Sequence, residues 1–173
     1  DAGPHVELLA IDDGSTDDTP AVLAGWPEVI VIRQANAGVA TARNVGIARA
    51  RGAFIALQDA DDLWVPDKLT LQLAHLAAHP EHGYVAAHVQ SFLEPGVARP
   101  PWVTDVQLAE SRVGGVGNLV VRSEVFARVG GFVASDPTDF DWSMRAQEAG
   151  TVGGVVPKVL LMRRVHKRNL LRR

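Results

Sequence analysis

The chain of 173 residues contains no cysteine. This absence excludes a disulfide framework, zinc sites built from thiolates and a cysteine nucleophile. No stretch of about 18 apolar residues is free of charge, so the sequence contains no candidate transmembrane helix. Hydrophobic residues make up 47% and charged residues 21%, which excludes wholesale disorder, collagen-like repeats and a coiled coil. A chain of this length buries about 70% of its unfolded surface, which is enough for one domain with a core of its own.

Basic residues are scarce except at the C-terminal end. The sequence has 17 Lys and Arg against 20 Asp and Glu, a net charge of -3. Residues 163–173 hold six of the basic residues and no acid, which leaves the first 162 residues with a net charge of -9. An acidic body argues against nucleic acid as a partner, because phosphate binding needs a basic surface. We expect the basic tail to contact phosphates or lipid headgroups.

Strand-like and helix-like segments alternate along the first half of the chain. Apolar runs that predict strands cover residues 6–11, 28–33, 53–58 and 84–92. Helix-start signatures lie at residues 16–20, 39 and 66. The second of these helices is predicted to end at Arg51, with Gly52 as its C-cap. Strands that alternate with helices predict an α/β fold with a largely parallel sheet.

The second half of the chain has a looser pattern. Residues 93–105 contain three prolines and predict a long loop. A strand is predicted at 118–122, followed by a helix from Ser123, as its cap, to Val129. A further helix is predicted over 139–149.

Two acidic clusters follow predicted strands. They are Asp12-Asp13 and the segment from Asp59 to Asp62. Because ligands of open parallel sheets bind beyond the carboxyl ends of the strands, we expect both clusters to face one crevice. Converging carboxylates repel one another unless a cation offsets their charge, and Mg²⁺ or Mn²⁺ prefers oxygen ligands. The alternative for the second cluster is an ordinary turn or helix cap.

A glycine-containing loop at Asn36 to Gly38 precedes the predicted helix that carries Arg43. An arginine in the first turns of such a helix can bind phosphate through its two-pronged guanidinium group. The alternative is an ordinary exposed helical arginine.

Four segments together resemble the family-2 glycosyltransferases of the GT-A fold. They are IDDGSTDDT, NAGVATARNVGIARARGAFIALQDADDLWVPDKL, VRSEVFARVGGF and TDFDWSMRAQEAG. The resemblance implies a Rossmann-like, mostly parallel central sheet flanked by helices. It implies one domain over residues 1–173, with a nucleotide-binding half at about 1–92 and an acceptor-binding half at about 93–173.

The same resemblance assigns roles to the acids and to the arginine. Asp12 and Asp13 match residues that meet the uracil or ribose, and Arg43 matches an arginine near the nucleotide. The DxD region comprises Asp59, Asp61 and Asp62. One aspartate of this region holds the ribose, for which Asp59 is our candidate, and another holds Mn²⁺ or Mg²⁺. Our metal ligand is Asp61, with Asp62 as the next candidate.

Asp139 matches the catalytic base of the family, in a Glu-Asp pair whose Glu position is taken here by Thr138. Asp141 is an alternative base. On a helix the side chains of Asp139 and Asp141 project about 200° apart, so only one can face the crevice.

His166 and Asn169 match a His-x-x-Asn element that follows the last strand in many relatives. In some relatives this histidine approaches the metal or the diphosphate, so His166 is a further candidate ligand. The other five histidines are expected at surface positions.

The resemblance implies transfer of a sugar from a nucleotide-diphospho-sugar, with UDP-sugar the expected donor, to a saccharide or lipid-linked acceptor. The reaction would invert the anomeric carbon, in polysaccharide or glycolipid synthesis, in the cytoplasm or at the inner face of the cell membrane. The alternatives are a metal-dependent nucleotidyltransferase and a non-catalytic sugar- or nucleotide-binding remnant. Relatives carry a strand and a helix ahead of the DDGS segment, so we expect the chain to lack the first strand of a longer enzyme and to be inactive alone.

Overall fold

The computed structural model describes residues 5–101, 103–109, 112–113, 115–134 and 138–166. The strands are β1 (Leu8–Asp12), β2 (Val29–Arg33), β3 (Phe54–Ala56), β4 (Leu63–Trp64), β5 (His82–Leu93), β6 (Arg112–Val113), β7 (Val120–Arg122) and β8 (Val152–Val165). The helices are α1 (Thr19–Ala24), α2 (Val39–Arg49), α3 (Lys68–Ala78), α4 (Asp105–Ala109), α5 (Ser123–Val129) and α6 (Thr138–Glu148), with a 3-10 turn at Val116–Asn118. The α/β class predicted from the sequence is confirmed.

The chain divides into two compact units. Unit 1 comprises Asp1–Ile55 and Val121–Thr151, and unit 2 comprises Ala56–Val120 and Val152–Arg173. Each unit is therefore assembled from two separate stretches of sequence.

Unit 1 contains a two-stranded parallel sheet of β1 and β2. Gly46 of α2 lies close to Ile11 of β1, since a Cβ at this glycine would be 3.4 Å from Ile11 Cγ1. Leu8, Ile30 and Val31 are between 43% and 47% exposed, so much of the apolar surface of this small sheet is uncovered. The expectation of a missing first strand stays a prediction.

A second apolar cluster of unit 1 lies between α5 and α6. The rings of Phe126, Phe132 and Trp142 approach one another with centroids 5.0 to 6.1 Å apart. The indole nitrogen of Trp142 donates to the carbonyl oxygen of Gly130 at 3.1 Å. Aromatic burial of this kind stabilises the segment between the two helices.

The larger sheet has six strands in the order β3-β7-β5-β8-β4, with β6 paired to β5. The long central strands β5 and β8 are parallel, whereas β4 and β6 run antiparallel to their neighbours. The sheet is therefore mixed. The sequence predicted largely parallel pairing, which holds for β1 with β2 and for β5 with β8.

The core of unit 2 lies between α3 and the central strands. Its fully buried members include Leu76 of α3 and Val85 of β5, and Leu69 and Leu73 pack against them. Residues at this spacing share one helical face, so the amphipathic pattern places the helix correctly.

Several boundaries differ from the sequence-based prediction. Helix α2 ends at Arg49 with the extended Ala50 as its C-cap, so the predicted cap at Gly52 is wrong. Ser123 is the first residue of α5, and the N-cap position belongs to Arg122, whose side chain makes no cap hydrogen bond, so the predicted cap at Ser123 is wrong. Of the predicted loop at 93–105, Leu93 belongs to β5 and Asp105 to α4, and the described residues between them form no helix or strand.

Among the described residues, every helix is too short or too polar to cross a bilayer.

Candidate active site

Asp12 ends strand β1 and is only 3% exposed. Its Oδ1 accepts a hydrogen bond from the backbone nitrogen of Ser15 at 2.7 Å. Its Oδ2 lies 3.4 Å from Arg33 Nε, but accepts no hydrogen bond. Hydrogen bonding from Ser15, assisted by the charge of Arg33, holds the pKa of Asp12 below its usual range. The carboxylate is therefore ionised and fixed at the end of the strand.

The carboxylate of Asp13 holds the loop that precedes α2. It accepts hydrogen bonds from Gln34 Nε2 at 2.7 Å and from the backbone nitrogens of Ala37 and Gly38 at 2.9 Å each. These bonds, the one from Ala37 foremost, lower the pKa of Asp13. The main chain of Asp13 also accepts a bond from Asn36 Nδ2 at 2.9 Å. Asp13 thus shapes the loop at the start of α2.

Gly14 is required by the close approach of this loop. Its φ is +80°, and a Cβ there would lie 2.8 Å from the backbone nitrogen of Asn36. A positive φ favours glycine, and a side chain at this position would collide with the backbone of Asn36. These two constraints explain why the DDGS segment has a glycine here.

Arg43 lies on α2 with its guanidinium carbon 5.5 Å from the centre of the Phe132 ring. Next to it, Asn44 forms two hydrogen bonds with the main chain of Phe132, each 2.8 Å long. The contact of Asn44 could not be predicted, since an asparagine inside a helix carries no signal of a partner 88 residues away.

The DxD region of unit 2 is a turn, in which the backbone nitrogen of Asp62 donates to the carbonyl oxygen of Asp59 at 3.2 Å. The turn is held against the end of β8 by contacts of Asp61 and Asp62. Asp62 Oδ1 accepts from the backbone nitrogen of Arg164 at 3.0 Å, and Arg164 Nε donates to the carbonyl oxygen of Asp61 at 3.0 Å. Asp61 Oδ2 lies 3.0 Å from His166 Nε2. The structure therefore joins Asp61 and His166, which are 105 residues apart in the sequence.

The surroundings of this turn disfavour a negative charge on Asp62. Burial raises the pKa of Asp62 to about 6, and the charges of Asp61 and Asp59 add to the rise, against the hydrogen bond from Arg164. Carboxylates so arranged are stabilised in ionised form by a bound cation.

Asp139 lies in α6, but its side chain is outside the described residues, as is the whole of Asn169. Asp141 of the same helix accepts a hydrogen bond from Arg145 Nε at 2.8 Å. Arg145 also donates to the carbonyl oxygens of Val129 and Gly131. Asp141 is therefore part of a contact that supports the main chain after α5.

The candidate residues fall into separate groups. Unit 1 contains Asp12, Asp13 and Arg43, together with helix α6. Unit 2 brings together Asp59, Asp61, Asp62 and His166. That the two groups face one crevice stays a prediction. The main-chain contacts of Arg164 went unpredicted, since backbone groups carry no sequence signal.

The sequence of residues 2–135 matches the model of the family described as Glycosyl transferase family 2. Among curated relatives, the putative teichuronic acid biosynthesis glycosyltransferase TuaG of Bacillus subtilis is 40% identical over 75 residues, covering 40% of this chain and 30% of the relative. The succinoglycan biosynthesis protein ExoO of Rhizobium meliloti is 33% identical over 134 residues, covering 70% of this chain and 37% of the relative.

Two solved structures share the fold. The mannosyltransferase PcManGT from Pyrobaculum calidifontis, in complex with GDP-Man and Mn²⁺, has a TM-score of 0.71 at 21% identity, over 94% of this chain and 49% of that one. TarS 1-349 of S. aureus, in complex with UDP-GlcNAc, has a TM-score of 0.70 at 20% identity, over 94% and 50%. This chain thus spans about half of either solved chain and less of the two curated relatives. The fold is GT-A, and the chain belongs to glycosyl transferase family 2.

Proposed function

We propose that the protein containing this chain transfers a sugar from a nucleotide-diphospho-sugar to an acceptor hydroxyl, with metal dependence and inversion at the anomeric carbon. The observation that carries the proposal is the junction of the DxD turn with His166, at 3.0 Å from Asp61, in a chain of family 2. The names of TuaG and ExoO support a product among polysaccharides or related glycans.

The residues around Asp61 fit a divalent ion. Two ligand atoms at right angles, each about 2.1 Å from an octahedral ion, are about 3.0 Å apart, and Asp61 Oδ2 and His166 Nε2 have a separation of 3.0 Å. Asp62 is the further candidate, since burial, together with the charges of Asp61 and Asp59, raises its pKa to about 6, and a cation would stabilise the ionised form. Carboxylate and imidazole together suit Mn²⁺ better than Mg²⁺. When bound, the ion offsets the charge that develops on the leaving diphosphate.

The nucleotide is assigned to the strand ends and to α2. Asp12 offers a buried Oδ2 without a hydrogen bond, which suits a ribose hydroxyl, and Asp59 is the second candidate for the ribose. Asp13 acts through the loop it holds, and Arg43 is the candidate for the diphosphate. The names of the solved neighbours, with UDP-GlcNAc and GDP-Man, support a UDP- or GDP-linked donor.

The chemistry assigned to α6 is proton removal. The acceptor oxygen bonds to the anomeric carbon while the bond from that carbon to the diphosphate breaks, and the hydroxyl proton passes to the Asp139 carboxylate. The transition state resembles the oxocarbenium ion of glycoside hydrolysis, and one displacement inverts the carbon. The acceptor is a saccharide or a lipid-linked saccharide, bound by the loop 93–105.

A protein containing this chain should show a thermal shift with UDP or GDP that depends on Mn²⁺. A ligand at about 100 times its Kd stabilises the folded state by about 2.7 kcal/mol. Asp61→Asn should remove the shift, whereas Asp67→Asn should keep it, because Asp67 is exposed and makes no cap hydrogen bond. A shift unaffected by Mn²⁺, or equal in the two variants, would overturn the assignment of the metal site.

The basic C-terminal tail is proposed to contact anionic lipid and so to hold the enzyme at the inner face of the cell membrane. Residues 167–173 of this tail lie outside the described residues. The proposal rests on their charge, since clustered Lys and Arg are attracted to anionic lipid headgroups.

A further inference from the structure

Three histidines and a glutamate meet at the junction of α3 and β5. His75 lies in the last turn of α3, one helical turn before His79, the residue that follows the helix. Glu81 lies in the turn, and His82 is the first residue of β5. From the sequence, these histidines are expected at surface positions. His82 retains only 17% side-chain exposure, so for this residue the expectation is wrong.

The donor atoms of three of these residues converge. His79 Nδ1 lies 3.1 Å from Glu81 Oε1, and His82 Nε2 lies 3.7 Å from the same oxygen. One donor atom from each residue falls within 4.8 Å of the others. Ligand atoms about 2.0 to 2.2 Å from a tetrahedral zinc ion are separated by about 3.3 to 3.6 Å. The two separations from Glu81 are close to these values, and the third is at most 4.8 Å, so rotation of the exposed His79 side chain can bring the three atoms to one ion.

The fourth residue fixes the orientation of His82. His75 Nε2 and His82 Nδ1 are 3.0 Å apart and share a hydrogen bond. This bond engages Nδ1 of His82, and Nε2 of the same ring lies on the side of Glu81. Metal-binding histidines characteristically use their second nitrogen in this way.

The neighbouring strand leaves space for this pair of rings. A Cβ at Gly154 of β8 would lie 2.2 Å from His75 Nε2 and 2.5 Å from His82 Nδ1. The absence of a side chain at this position is therefore a condition of the hydrogen bond that orients His82.

We propose that His79, Glu81 and His82 form a binding site for a zinc-class divalent ion, with His75 as the residue that positions His82. The ion takes a water molecule as its fourth ligand and links the C-terminal end of α3 to the start of β5. Two imidazoles and a carboxylate select Zn²⁺, Ni²⁺ or Cu²⁺ over Mg²⁺.

The site is separate from the DxD turn. His82 pairs with Val152 at the start of β8, whereas His166 follows Val165, the last residue of that strand. The two sites therefore lie at opposite ends of β8, and they differ in ligand chemistry. The histidine site accordingly serves the stability of unit 2 rather than the bound donor.

Equilibrium dialysis of the full chain against Zn²⁺, in the His166→Asn background, tests the proposal. One Zn²⁺ per chain is expected. His79→Ala and Glu81→Gln should each weaken binding by more than about a hundredfold, and His75→Gln by about 10- to 100-fold, the usual effect of losing an orienting partner. His5→Ala, at an exposed histidine outside the cluster, is the matched control and should leave the affinity unchanged.

Cobalt substitution separates a defined site from loose surface binding. Co²⁺ in a four-coordinate site gives strong visible absorption, which His79→Ala should abolish and His75→Gln should shift. His79 and Glu81 are exposed, so His79→Ala and Glu81→Gln should unfold like the parent chain when no metal is present. Zn²⁺ affinity that is equal in His79→Ala and His5→Ala, or the absence of stoichiometric binding to the parent chain, would overturn the proposal.

Discussion

At the scale of single residues, acids of similar sequence context have different environments. The carboxylate of Asp13 accepts hydrogen bonds from N–H donors of the loop that precedes α2, whereas Asp61 contacts His166, 105 residues away in the sequence. The sequence predicted both as site residues, but spacing alone did not distinguish an acid that holds a loop from one that contacts a histidine. The difference lies in which donors the folded chain brings near, and that depends on contacts between distant residues.

Asn44 provides a test of such a distant contact. Asn44→Ala leaves the amide nitrogen and the carbonyl oxygen of Phe132 without their side-chain partner, and Phe132 is only 3% exposed. Unsatisfied buried polar groups cost about 1 to 3 kcal/mol, so urea unfolding should show a loss of that size. Asn36→Ala, at an exposed asparagine, should cost less. Equal losses in the two variants would show that the paired bonds to Phe132 contribute little.

At the scale of elements, the sequence predicted the presence of the amphipathic and apolar segments better than their bounds. The helix containing Leu69, Leu73 and Leu76 follows from its apolar spacing. Strand β8, the longest in the structure, received no strand assignment of its own, because its sequence contains Gly153, Gly154 and Pro157, which are typical of strand ends and bulges. These three residues therefore explain why the local sequence pattern did not predict β8.

Packing shows how β8 accommodates these residues. Its register with β5 shifts between Ala87, which pairs with Val156, and His88, which pairs with Val159. Pro157 therefore lies at an irregularity of the strand pairing, which is one of the positions where a sheet tolerates proline. Gly153 faces Tyr84, whose ring would be 2.3 Å from an added Cβ. Such compensation by a partner strand is invisible in a single segment of sequence.

Helix α3 carries a buried lysine that should make stability depend on pH. Lys68 is fully buried, its Nζ donates to Gln72 Oε1 at 2.7 Å, and it lies 4.3 Å from the centre of the Trp64 ring. Burial lowers the pKa of Lys68 to about 7, from 10.5 in the unfolded chain. Between these values the unfolded state binds more protons, so the free energy of unfolding should rise with pH from about 7 to about 10, by up to ~1.4 kcal/mol per pH unit.

The comparison with Lys68→Met isolates this contribution. The variant should lose the rise above pH 7 that the parent shows in urea titrations at a series of pH values. Lys158→Met removes an exposed lysine of β8 and should retain the rise. Parallel stability curves for the parent and Lys68→Met would contradict a lowered pKa in the folded state.

Helix α6 contains both candidate bases, Asp139 and Asp141. Side chains two positions apart on a helix project about 200° apart, and Asp141 is paired with Arg145 at 2.8 Å. Asp139→Asn should reduce kcat by about 10² to 10⁴, the range for loss of a general base, while nucleotide affinity stays within about threefold. Asp141→Asn should lower thermal stability with little change in kcat. A larger loss of kcat in Asp141→Asn than in Asp139→Asn would identify Asp141 as the base and contradict the assignment to Asp139.

At the scale of the whole molecule, family membership was predictable because its motifs occur in order over most of the chain. The division into two units was not, since each unit combines stretches of sequence that are far apart. Contacts such as Asp61 with His166 arise from this arrangement. The structure also changes the limits of the basic tail, because residues 163–165 belong to β8 and Arg164 holds the DxD turn.

A deletion that tests membrane contact must therefore begin after His166. Removing residues 167–173 takes away four Lys or Arg and leaves the contacts of Arg164 and His166 in place. Near an anionic surface each such charge contributes about 1 kcal/mol, so sedimentation with phosphatidylserine vesicles should weaken by about 10²- to 10³-fold at low salt. The difference should shrink as ionic strength rises, because salt screens exposed charges. Vesicles of neutral lipid serve as the control, and equal binding of the deleted and parent chains to anionic vesicles would exclude the tail as the membrane contact.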